Sequence, residues 1–187
     1  MRVTVIGAGV AGLTSALALA EHGCSVEVLD RSASLGAGAC SYLAGGMLAP
    51  WCERESAEEL VVELGCEALD YWPVVHPDTA RRGSLVLASR RDEPDLARFT
   101  RRTSGHHSLD AVGIAALEPD LDGRFTRGLY FADEAHLDPR AAMVALADRL
   151  DRLGVPIRCG IEADEVSGPV VDCPGSQLAT GCRICAV

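Results

Sequence analysis

The sequence predicts an α/β fold in which a parallel-sheet lobe is interrupted by part of a second, α+β lobe. Three observations carry that prediction. A β-branched run over 3–6 leads through a glycine-rich turn into an alanine-rich segment over 13–22, and a second apolar run ends at Asp30. Near the other end, an amphipathic segment over 140–153 is followed at once by an apolar run over 155–159. Between these two units, strand-like runs at 83–88 and 128–132 alternate with short helical patterns. Helix–strand units at both ends with strands between them are the order of a lobe that has received an insertion.

The first thirty residues hold the sharpest pattern. They read Val3-Thr-Val-Ile-Gly7-Ala-Gly9-Val-Ala-Gly12, then 13–22, then Gly23-Cys-Ser-Val-Glu-Val-Leu-Asp30. Gly-x-Gly-x-x-Gly alone is weak. Set between a strand and a helix, with an acid closing the next strand, it marks a Rossmann-like dinucleotide lobe. Gly7 serves the tight turn, Gly9 lets the backbone approach a pyrophosphate, and Gly12 lets the helix lie close on the sheet. The pyrophosphate would rest on the helix N-terminus near Val10. Asp30 stands eighteen positions after Gly12, the distance at which a carboxylate reaches the adenosine ribose hydroxyls. A carboxylate there disfavours a 2′-phosphate, and so NADP; FAD and NAD both stay open on this motif. His22 and Gly23 end the helix.

A small-residue stretch, 32–41, follows with little helix or strand character, and Tyr42-Leu-Ala-Gly-Gly-Met-Leu-Ala-Pro50 continues it. Its two glycines before an apolar pair suit backbone pressed against something flat and large, or against a neighbouring element. Ser56-Ala-Glu-Glu59 reads as a capping box opening a helix with apolar positions 60, 61, 64, 68, 69 and 72 on its buried face. A strand is expected at 83–88, a charged helix at 93–102 with Pro94 in its first turn, and a short helix capped by Asp110 and ending at Leu117. His106-His107 reads as a polar loop. Asp138-Pro139 caps the helix over 140–153, which Gly154 ends. Strands are expected over 155–159, 161–166 and 170–173.

The bulk numbers exclude several classes. At 187 residues, 48% hydrophobic and 24% charged, the chain has an ordinary globular composition. A net charge of -10 argues against nucleic acid or an anionic membrane as partner. No run approaches a transmembrane span, and a cytoplasmic protein is expected. The eight cysteines are scattered and read as reduced, partly buried thiols. Cys182-Arg-Ile-Cys185 has no second pair or histidine nearby, so no metal site is expected.

The fingerprint through Asp30-Arg31, together with Cys40-Ser-Tyr-Leu-Ala-Gly-Gly-Met-Leu-Ala-Pro-Trp-Cys-Glu53, resembles the N-terminal half of the flavin-dependent D-amino-acid oxidase superfamily. Within it the sequence is most similar to the glycine oxidases of thiamine biosynthesis. Ala116-Leu-Glu-Pro-Asp120 and Asp133-Glu-Ala-His-Leu-Asp-Pro139 add to the likeness. The resemblance implies an FAD-binding lobe over 1–80 and 136–173, with part of a substrate lobe over 81–135. It implies FAD held at Gly7, Gly9, Val10, Ala11 and Gly12 by its pyrophosphate, and at Asp30 and Arg31 by its ribose. Cys40, Ser41, Gly45, Gly46 and Met47 would lie along the ribityl chain and flavin ring, and Val166 would contact adenine through its backbone. The implied reaction takes a hydride from the α-carbon of glycine or another small amine to the flavin. The imine gives an oxo acid and ammonia or feeds thiazole synthesis, and oxygen reoxidises the flavin to peroxide.

The flavin carries this chemistry, so no catalytic acid or base is assigned, and Glu53, Asp133 and His136 are left without a role. A sarcosine or D-amino-acid oxidase or dehydrogenase, and a non-catalytic FAD-binding fragment, are the alternatives. The resemblance implies homo-oligomers among the full-length relatives. They are about twice this length, and the arginine that clamps the substrate carboxylate lies in the half not matched here. This chain alone is therefore expected to be inactive. Residues 174–187 depart from the family's pattern. A one-base shift in a permitted back-translation restores a family-like continuation, so this stretch is expected to be an aberrant, out-of-frame tail.

Overall fold

The computed structural model describes residues 1–163, 170–172 and 183–186. From the N-terminus come β1 (Arg2–Ile6), α1 (Val10–Glu21) and β2 (Ser25–Asp30), a 3₁₀ turn at Cys40–Leu43, β3 (Met47–Leu48), α2 (Pro50–Glu53) and α3 (Glu59–Val75). The middle holds β4 (Ser84–Leu87), α4 (Glu93–Arg102), β5 (His107–Asp110), α5 (Ala111–Leu117) and β6 (Arg127–Phe131). Then follow β7 (Ala135–His136), α6 (Pro139–Arg152), β8 (Ile157–Cys159), β9 (Val170–Asp172) and β10 (Arg183–Ala186). The chain divides into two compact units, Met1–Gly46 with Asp138–Val187, and Met47–Leu137.

The first unit is built on a sheet of order β8-β2-β1-β10-β9. β1, β2 and β8 run parallel, with Arg2 opposite Ser25 and Val28 opposite Ile157. Parallel neighbours require a crossover, which α1 supplies between β1 and β2. β10 joins β1 antiparallel, and β9 joins β10 antiparallel. Val3, Val5, Val26 and Val28 are buried in the sheet. Leu13, Ala16 and Leu17 of α1 and Ala142, Met143, Leu146 and Leu150 of α6 are buried too, at the spacing of one helix face, and the two helices lie against each other. Asp138 caps α6 as its sequence predicts, accepting the N–H groups of Arg140 (2.8 Å) and Ala141 (3.3 Å). Residues 161–163 form no strand, so the run expected at 161–166 is not seen there. Residues 164–169 and 173–182, Val166 among them, lie outside the described residues; of the tail set apart by the sequence, 183–186 form β10.

The second unit holds an antiparallel sheet of order β4-β6-β5, whose Leu129 and Phe131 pack with Leu96 of α4. β3 pairs with β7, and Ala80 bridges His136. Three expectations are corrected here. His107 begins a strand on β6 rather than lying in a loop: His107, Ser108 and Asp110 are exposed on a sheet edge, where pairing overrides a weak local preference. The capping box at Ser56 does not form either. Glu58 takes the cap position without a side-chain bond, and the Glu59 carboxylate that would close the box is held by Arg54 at 2.9 Å. The buried face of α3 carries Val62, Leu69 and Val75, while Leu60, Val61 and Leu64 are exposed. Gly65 sets that rotation. A Cβ there would press within 2.9 Å of Pro50, so the glycine lets α2 lie directly on this side of α3.

Candidate functional site

In the first unit the glycine turn, the end of β2 and the Cys40–Leu43 turn converge. Gly7 leaves β1 with φ +105°, in the region that favours glycine, and its N–H donates to Leu29 O at 2.7 Å. A Cβ on Gly12 would collide with the Gly7 carbonyl oxygen, so close packing of helix on turn demands that glycine. Gly9 is different. A Cβ there would meet Ser41 Oγ at 3.5 Å and Ala39 Cβ at 3.9 Å, which are ordinary contacts. The protein's own packing does not require a glycine at this position. A ligand backed against the chain would.

Asp30 ties the turn to the sheet. Its Oδ2 accepts the Ala8 N–H at 2.6 Å, and its Oδ1 accepts the Ser32 N–H at 2.7 Å. Burial opposes ionisation, but these backbone bonds, the Ser32 hydroxyl and the Arg31 charge outweigh it and hold the carboxyl below its ordinary value. The carboxylate has lone-pair capacity left for a further hydroxyl donor. At the start of α1, the Val10 N–H donates to Ser41 Oγ at 3.1 Å. Helix N-terminal N–H groups, room over Gly9 and an ionised carboxylate at the end of β2 together fit the ADP end of a dinucleotide.

The structure therefore brings Gly7, Gly9, Val10, Ala11, Gly12, Asp30 and Ser41 together in one unit, with Arg31 and Cys40 exposed beside them. Gly45 and Gly46 close the same stretch: space is open over Gly45, and Gly46 has φ +70°. Met47 opens the other unit in β3 and is 64% exposed. Two features escaped sequence reasoning. The Arg140 guanidinium lies 4.9 Å over the Tyr42 ring, with Nε donating to Tyr42 O at 3.2 Å. In the second unit Glu134 is fully buried. Its Oε1 accepts the Cys52 N–H at 2.8 Å, and its Oε2 has no partner among the described residues. Nothing in sequence announces a contact 98 residues apart, or separates Glu134 from its exposed neighbour Asp133.

Cys52 is no nucleophile. Burial, then the Glu134 and Glu53 carboxylates, push its thiol far above the ordinary range, whereas a reactive cysteine needs the reverse. Glu53, Asp133 and His136 are exposed. Among the described residues no cluster of three or more His, Cys, Asp or Glu could hold a metal ion, and no helix is long and apolar enough to cross a membrane.

Comparison with known proteins agrees with this geometry. A protein of Rhizobium etli named for a thiamine biosynthesis oxidoreductase, ThiO, is 54% identical over 179 residues, covering 94% of this chain and 54% of its own length. The glycine oxidase of Geobacillus kaustophilus shares the fold with a TM-score of 0.76 at 21% identity, over 97% of this chain and 52% of its own. The L-α-glycerophosphate oxidase of Mycoplasma pneumoniae, solved with FAD bound, gives 0.74 at 18% identity, over 90% and 47%. This chain thus spans about half the length of the relatives it matches. The family model described as FAD dependent oxidoreductase, DAO, matches residues 2–185. With the glycine turn, the Asp30 carboxylate and the parallel β1–β2 pair beneath them, that match over nearly the whole chain makes it a member of the FAD-dependent oxidoreductase family.

Proposed function

We propose that this chain is the dinucleotide-binding half of an FAD-dependent amine oxidoreductase acting on glycine or a similarly small amino acid, linked to thiazole synthesis for thiamine. The observation that carries the binding claim is Gly9, a glycine that the fold itself does not need. In this reading Gly7, Gly9, Gly12 and the N–H groups of Val10 and Ala11 hold the pyrophosphate, and Asp30 and Arg31 meet the ribose. Cys40, Ser41, Gly45, Gly46, Met47 and Val166 lie along the rest of the cofactor. Bound flavin supplies hydride acceptance; the protein supplies position and exclusion of water. The name of the Rhizobium etli relative supports the thiamine link; the likeness of the 40–53 stretch to the glycine oxidases supports the substrate class. A cytoplasmic location goes with this assignment.

The same reading makes the chain inactive alone. Among the arginines whose side chains are described none is buried, so none of them forms the buried bidentate clamp that a substrate carboxylate needs. Peroxide release from glycine, sarcosine and D-alanine, measured with purified chain and added FAD, tests this. Binding of FAD without peroxide is the expected outcome. Turnover of glycine would overturn the inactivity, and turnover of sarcosine or D-alanine alone would move the substrate assignment to another branch of the family.

A further inference from the structure

We propose that Arg140 is a positioning residue of the dinucleotide site, pinning the Cys40–Leu43 turn to α6 so that Ser41 stands at the N-terminus of α1. The inference rests on the FAD reading and adds to it a residue from the far end of the chain. Two independent contacts hold the turn. The Arg140 guanidinium covers one side of the Tyr42 ring at 4.9 Å, and its Nε donates to the Tyr42 carbonyl at 3.2 Å. The Tyr42 ring is also close against Gly36, where a Cβ would come within 2.5 Å of Cδ2. The ring is therefore held by Gly36 as well as by Arg140, and the adjacent Ser41 is held with it. The Ser41 hydroxyl then accepts the Val10 N–H at 3.1 Å, one of the donors that the family's pyrophosphate site uses.

A hydroxyl in that position is both acceptor and donor. It satisfies the helix N-terminus in the free protein and can turn its O–H toward a phosphate oxygen in the complex. Arg140 acts on this arrangement from a distance. Its head is spent on Tyr42, and α6 is a rigid base because Asp138 caps it and its buried face packs on α1. The planar guanidinium matters: a lysine could keep the charge but not the stack together with a fixed Nε donor.

A double-mutant cycle tests this. FAD dissociation constants are measured by flavin fluorescence for wild type, Arg140→Met, Ser41→Ala and the double variant. Arg140→Met is expected to bind roughly three- to tenfold more weakly, the size of one net hydrogen bond. Ser41→Ala should lose a similar factor, and the double variant no more than Ser41→Ala alone, because both act through one contact. Additive losses, or an Arg140→Met that binds like wild type, would overturn the inference. Arg140→Lys carries the same test should the methionine variant not fold, with a loss between the two. If wild type takes up no FAD, the cofactor reading fails on its own. The clamp is then decided by hydrogen exchange: Arg140→Met should speed exchange at the Val10 amide and over 38–44, and unchanged exchange there would refute it.

Discussion

Gly9 and Gly12 stand three residues apart in one turn, yet their missing side chains answer to different neighbours. Gly12→Ala drives a methyl into the Gly7 carbonyl oxygen and is expected to cost at least about 2 kcal/mol of stability. Gly9→Ala places its methyl at ordinary distance from Ser41 and should cost within about 1 kcal/mol, while dinucleotide affinity falls. Urea denaturation of the two variants separates these cases. Asp30 adds a pH dependence. Its carboxyl lies below the ordinary value in the folded chain, so its stabilisation is complete above the unfolded value, about 3.9, and is lost as pH falls through the folded one. The stability difference between wild type and Asp30→Asn should stay constant from neutral pH to about 5 and shrink below about 4. Cys52 offers a check on the buried Glu134. Under iodoacetamide with mass-spectrometric mapping, Cys52 should label at least about tenfold more slowly than exposed Cys40. Glu134→Gln should narrow the gap without closing it, since burial is the larger cause.

Among the elements, α3 separates pattern from packing. Leu60, Val61 and Leu64 satisfy a helical apolar stripe, yet the bare surface of Gly65 turns a neighbouring face, with Val62 and Leu69, toward its partners. Leu69→Ala is therefore expected to cost about 2–4 kcal/mol, and Leu60→Ala or Leu64→Ala within about 0.5 kcal/mol, by chemical denaturation. Equal costs would contradict the described rotation of α3. The same contrast explains what was legible in the sequence. β1, α1 and β2, the Asp110 and Asp138 caps and the glycine turn could be read because each is fixed by residues a few positions apart. β5, the β3–β7 pair, the Arg54–Glu59 ion pair and the Arg140–Tyr42 clamp depend on partners that local pattern does not name.

At the scale of the molecule, the features proposed to hold the ADP end of the cofactor lie within one compact unit, and Met47, expected to face the flavin, begins the other. The family relation covers nearly all of this chain but only about half of the relatives. In the function proposed above, the residues of this chain hold a cofactor. FAD titration of the purified chain, with ADP as competitor and Gly9→Ala alongside, tests this most directly. Saturable FAD binding that ADP displaces is expected, with at least about tenfold weaker binding by a Gly9→Ala variant that unfolds near the wild-type midpoint. FAD binding that ADP leaves untouched, or equal affinity in wild type and Gly9→Ala, would contradict it.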